Sequence, residues 1–87
     1  MSGAITVEFY GIPRQRAGRR ELIVQAATLG GLLHAVQASC PDLRLVDDAG
    51  LAPQYRISVD GRRFLTELSE KLTPGERVLI VSADAGG

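Results

Sequence analysis

The sequence predicts an α+β fold: a mixed sheet of four to five strands with one main helix across a face. Three observations lead there. Short segments alternate apolar and polar residues with the period of a half-buried strand. One segment alone repeats apolar residues at helical spacing. Their order is strand, strand, helix, strand, short strand, strand, which lays a single helix over two hairpin-like halves. With 87 residues the chain has room for one domain. Residues 1–82 are read as its body and 83–87 as a flexible tail ending Gly-Gly.

Ile5, Val7 and Phe9 alternate with Thr6, Glu8 and Tyr10, giving the first strand. Gly11 and Pro13 break it. Arg14, Arg16, Arg19 and Arg20, with Gly18 among them, read as a polar turn into a second strand over 21–25, and a hairpin is the simplest pairing. Thr28 suits a helix N-cap. Leu29, Leu32, Leu33, Val36 and Cys40 then form one helical face, which Pro41 ends. Gly30 and Gly31 in the first turn each cost about 1 kcal/mol against alanine, so packing on the sheet must hold this helix. Residues 41–54 read as a short helical turn and a loop. Tyr55 to Val59 alternates again, Asp60-Gly61 is a tight-turn pair, and 62–65 a brief return strand. Residues 67–72 read as a turn of helix and Thr73-Pro74-Gly75-Glu76 as a turn. The nearly continuous apolar run from Arg77 to Ser82 is expected at the sheet's centre, parallel to the first strand. That is the β-grasp layout.

Composition narrows the chemistry. Ten basic residues balance ten acidic ones, which argues against binding nucleic acid or a membrane surface by bulk charge. One cysteine cannot make an internal disulfide. No signal peptide and no apolar run of about 20 residues is visible, so a soluble cytoplasmic protein is expected. With one histidine, no zinc-spaced cluster and no phosphate loop, a self-contained enzyme or a bound cofactor is not expected.

The segment after the last strand reads Ala83-Asp84-Ala85-Gly86-Gly87. Fully extended, 82–87 spans about 20 Å, enough to enter another protein's active site. Glycine lets a backbone lie close to the walls of a channel. A carboxylate delivered this way suits activation by a nucleoside triphosphate to an acyl-adenylate, followed by attack of a sulfur nucleophile. The competing reading is a frayed end. Two terminal glycines arise by chance in about 0.5% of chains, so their weight comes from joining them to a compact strand-and-helix body.

The sequence resembles the ubiquitin-like sulfur carriers of the MoaD/ThiS family over essentially its whole length. The likeness rests on the opening strand with its Arg-rich turn ending Ala17-Gly18, on Thr28-Leu29-Gly30-Gly31-Leu32-Leu33, and on Ile57-Ser58-Val59-Asp60-Gly61. The most specific piece is Leu72-Thr73-Pro74-Gly75-Glu76-Arg77-Val78 leading to Gly86-Gly87. The resemblance implies that an ATP-dependent activating enzyme adenylates Gly87 and that a sulfurtransferase supplies sulfur to form a thiocarboxylate. An acceptor synthase, such as the large subunit of molybdopterin synthase, would then take the tail. ATP would be used by the partner. Gly86 and Gly87 would carry the chemistry, and Phe64, Ala83, Asp84 and Ala85 would dock. Members of that family that serve the molybdenum cofactor often have Pro-rich or apolar residues where this chain has Ser82, Ala83 and Asp84, and the acidic Asp84 would alter docking to a standard partner. Two rivals remain: a protein modifier conjugated through Gly87 to lysine, and a non-covalent adaptor with an inert tail.

Other residues read more plainly. His34 lies one step off the helix's apolar stripe and is expected exposed; Cys40 is expected in the core. Arg14, Arg16, Arg19 and Arg20, and the pair Arg62-Arg63, read as solvated turns, with docking to an acidic surface left open. Phe64 suits a core or a docking role equally. Lys71 is the sole lysine.

Overall fold

A computed structural model describes residues 3–83. Strand β1 (Gly3–Phe9) is followed by a short helix α1 (Ile12–Ala17), strand β2 (Glu21–Ala26) and the main helix α2 (Leu29–Ser39). Then come the two-residue strands β3 (Val46–Asp47) and β4 (Gly50–Leu51), strands β5 (Tyr55–Val59) and β6 (Arg63–Leu65), and the last strand β7 (Arg77–Ser82). Five of the strands form one mixed sheet in the order β2-β1-β7-β5-β6. The β1–β2 and β5–β6 hairpins flank the parallel β1–β7 pair. This is the ubiquitin-like β-grasp fold, with β7 at the centre as its apolar run predicts.

The two-residue period of the strands divides the sheet cleanly. Phe9, Ile80, Ile57 and Leu65 lie opposite one another across four strands. With Ile5, Val7 and Val78 they face α2, whose Leu29, Leu32, Leu33 and Val36 are all buried. Burying a side chain of this size is worth roughly 1.5–3 kcal/mol, which offsets the weak helix propensity of the glycine pair. Asp60 and Gly61 both take positive φ, 55° and 72°, in a tight turn closed by the Arg62 N–H donating to the Val59 carbonyl at 3.0 Å, and Arg62 is the extra residue before the paired Val59 and Arg63.

Three local expectations are corrected. The Arg-rich segment is a helix, α1, rather than a turn. Pro13 sits in its first turn and is buried there, where a missing N–H costs no hydrogen bond. Residues 41–54 contain the β3–β4 hairpin rather than a helical turn. Gln37 Oε1, reaching from α2, accepts the N–H groups of Leu45 and Val46 at 2.8 and 3.2 Å, and Asp47 Oδ1 accepts from Ala49 at 2.8 Å to close the bend.

Residues 67–72 form a turn rather than a turn of helix, because their carbonyls serve α2. The N–H groups of Leu29 and Gly30 donate to the carbonyls of Glu70 and Leu68, both at 2.9 Å. The N–H of Gly31 donates to the Thr28 hydroxyl at 3.1 Å. The first free amides of the helix are thereby satisfied. A Cβ at position 30 would stand 3.2 Å from the Leu68 carbonyl oxygen, so glycine there permits the close approach.

Candidate functional site

The C-terminal end of β7 is held on both sides. Tyr55 of β5 lies opposite Ser82, and the N–H of Ala83 donates to the Gln54 carbonyl at 2.8 Å. On the other side the N–H of Tyr10, just past β1, donates to the Ile80 carbonyl at 3.1 Å. Helix α1 follows and packs against β7. Arg16 Nη1 closes the ring by donating to the Tyr55 hydroxyl at 2.7 Å. Ala83, expected in the tail, is thus fixed to the body. Asp84, Ala85, Gly86 and Gly87 lie outside the described residues.

The rim of this exit is cationic and partly apolar. Arg14 donates through Nε to the Phe9 carbonyl at 2.9 Å, and its guanidinium stands 5.3 Å from the centre of the Tyr10 ring. Ile12, in the first turn of α1, is 47% exposed.

Phe64 is 58% exposed, which decides its role against the core. It lies opposite Ser58, which lies opposite Leu79 of β7, then Glu8 of β1 and Glu21 of β2. Directly opposed residues share a face, so these form one row across the outer side of the sheet. Leu79 and Val81 are half-buried, and Arg56 stands over the Phe64 ring at 5.9 Å. A cation over an aromatic face holds the ring in place without covering its far side. The opposite end of the row is charged. Arg77 pairs with Glu8 and, at 3.8 Å, with Glu21. The Tyr10 hydroxyl donates to Glu8. That bond and the Arg77 guanidinium hold the Glu8 carboxyl below its ordinary value, and the carboxylate in turn raises the Tyr10 hydroxyl.

His34 is exposed and Cys40 is buried in the core. Lys71 is exposed, its backbone bridged to Thr28 at the opposite end of β7 from the exit. An open groove of about 540 Å³ lies between the β3–β4 hairpin and residues 66–69; Glu67 is its one charged lining residue. Among the described residues no group of three His, Cys, Asp or Glu side chains could hold a metal ion, and no helix is long and apolar enough to cross a membrane. Sequence reasoning missed Leu79, Val81, Arg56 and the Arg16–Tyr55 link, since each depends on strand register or on contacts distant in sequence.

No protein-family model matches the sequence, and no curated protein matches it. Solved structures do. The small archaeal modifier protein 1 from Methanosarcina acetivorans superposes with a TM-score of 0.84 at 18% identity, covering 100% of this chain and 99% of its own. A putative molybdopterin converting factor, subunit 1, from Pyrococcus furiosus gives 0.74 at 21% identity, covering 93% and 98%. A chain of the Amycolatopsis orientalis BexX/CysO complex gives 0.79 at 23%, covering 97% and 100%. At these identities the likeness is one of fold. The chain is a ubiquitin-like β-grasp protein, and its structural neighbours are of the MoaD/ThiS type that its sequence resembles.

Proposed function

We propose that the protein is a sulfur carrier whose reactive group is the Gly87 carboxylate. The observation that carries this reading is the exit of β7. The central strand is paired on both sides and Ala83 is tied to Gln54, so the residues that follow start from a fixed base. The Gly-Gly sequence then permits a narrow approach. The ubiquitin-like fold shared with the structural neighbours supports the same reading.

In this reading an activating enzyme transfers AMP from ATP to the carboxylate, releasing pyrophosphate. A sulfur nucleophile then displaces AMP. Sulfide gives the thiocarboxylate directly, and a persulfide gives it once a thiol has reduced the S–S bond. The carrier's own contribution is placement, which converts an encounter between two proteins into a reaction between positioned groups. ATP, its metal ion and the proton transfers belong to the partner. Phe64, with Leu79, Val81 and Arg56, supplies the docking face, and Ala83, Asp84 and Ala85 are the further partner contacts this reading proposes. A molybdopterin synthase large subunit is the first acceptor to test, because one structural neighbour bears the name of a molybdopterin converting factor subunit.

The test is the intact mass after incubation with ATP, an activating enzyme and a sulfur source. The expected result is sulfur for one oxygen, lost when Gly87 is deleted. An unchanged mass with several activating enzymes, and in protein taken from its native cells, would overturn the reading. A second reading, conjugation to lysine, is favoured by the modifier name of another neighbour. It predicts Gly87-dependent covalent adducts in cell extract instead.

A further inference from the structure

We infer that the arginines around the β7 exit, Arg14 and Arg16 with Arg19 and Arg20 beyond them, are a docking surface for an acidic rim. That rim lines the mouth of the channel that receives the tail. The inference deepens the carrier reading by naming the chemistry of its partner.

Reach comes first. Only residues 84–87 separate Ala83 from the Gly87 carboxyl, about 13 Å when extended. A partner that buries that carboxyl must therefore press against the body around Ala83. What it meets on one side is α1. From Phe9 to Arg20 the sequence holds four arginines and no acid. The ion pairs among the described residues use Arg63 and Arg77 only. The nearest acids, Glu8 and Glu21, pair with Arg77 and share a groove with Arg14 and Arg20, so five arginines face two carboxylates and the cluster keeps a cationic excess.

Geometry comes second. Arg14 and Arg16 are each fixed by one hydrogen bond to the body, through Nε to the Phe9 carbonyl and through Nη1 to the Tyr55 hydroxyl. A guanidinium has five donors, so most remain for a partner, on side chains whose freedom is already reduced. Such preorganisation lowers the entropic cost of binding, and the planar fork matches carboxylates. Exposed Ile12 and Tyr10 add apolar contact beside the charges. A cationic rim around a carboxylate tail also steers approach toward a negative mouth and makes it salt-dependent.

Two measurements test this. In an NMR titration, a hexaglutamate peptide is expected to shift the Nε–H signals of Arg14 and Arg16 and to be released by salt, while a glycine–serine peptide of equal length does nothing. Arg14→Gln with Arg16→Gln is expected to weaken the peptide at least about tenfold, against under about twofold for Arg62→Gln with Arg63→Gln. Should the first pair perturb folding, Arg19→Gln with Arg20→Gln serves, since neither side chain takes part in an ion pair among the described residues. With an enzyme that adenylates Gly87, the same variants are expected to raise KM for the carrier and leave kcat unchanged. Equal binding at Arg62 and Arg63, or a KM indifferent to salt and to Arg14 and Arg16, would overturn the surface. A failure to adenylate at all would overturn the carrier reading and leave the peptide result standing.

Discussion

The two faces of one sheet differ in everything but their backbone. On the inner side Phe9, Ile80, Ile57 and Leu65 form an unbroken apolar row under α2. On the outer side the adjacent row runs from two glutamates through Leu79 and Ser58 to the exposed Phe64. A shift of one residue along any strand would exchange them. The inner row is the condition for folding, and the outer row has no such duty. What the outer row keeps apolar is therefore informative. Leu79, Val81 and Phe64 cluster over the strands that end at the exit, while the ion-paired charges, Arg77 with Glu8 and Glu21, gather at the β1–β2 side.

Ile80→Ala should cut hardest. A buried isoleucine truncated to alanine costs about 2–5 kcal/mol, a large share of the stability of a domain this small, and denaturant unfolding would measure it. If Ile80→Ala cost no more than an outer-face change, the division between faces would be wrong. Next come the paired glycines under the inner face. Gly31→Ala should stabilise by up to about 1 kcal/mol, since a Cβ there meets only the Thr28 hydroxyl oxygen at 3.4 Å and Ala26 Cβ at 4.0 Å. Gly30→Ala should destabilise, because the Leu68 carbonyl is pinned by its hydrogen bond to Gly30. Equal thermal shifts for the two would refute the close approach.

Phe64→Ala sharpens the contrast from the other side. Unfolding should change by under about 0.5 kcal/mol, as for an exposed position, while KM with an activating enzyme rises several-fold. A loss of stability without a change in KM would return Phe64 to the core. The smallest effect belongs to Glu8. Its folded value lies below the ordinary 4.5, first through the Tyr10 hydroxyl and then through Arg77. The stability it contributes is therefore present above pH 4.5 and is lost as the pH falls through the folded value. Glu8→Gln should flatten the acid limb of a stability–pH curve there and leave the neutral region otherwise similar in shape.

Much of the frame was legible because it rests on local signals. The Thr28 cap, the Asp60-Gly61 turn and the apolar run of β7 each carry their own physics within a few residues. What was misread lacked that. In α1, Gly11 and Pro13 signal an ending, yet proline is equally at home in a first helical turn, and six residues are too few for a periodicity. Strands β3 and β4 have two residues each and depend on Gln37 from another element. As for the site, the Arg-rich 14–20 segment read as a solvated turn, and only the sheet order brings it beside the end of β7. The face on which Phe64 lies required the β5–β6 register.

The position of β7 also orders the events of the protein's birth. Among the described strands it leaves the ribosome last, and it joins the two halves, so the β1–β2 hairpin, α2 and the β5–β6 hairpin have no common sheet until it docks. Closing such distant pairs is the slow part of folding. The tail follows this strand directly. A chain that has not folded lacks the ties of Ala83 to Gln54 and of Arg16 to Tyr55, so under the proposed carrier function only a completed sheet would present the Gly87 carboxylate to a partner. In that reading, completion of the sheet would act as a licence for activation, issued by the strand that bears the tail.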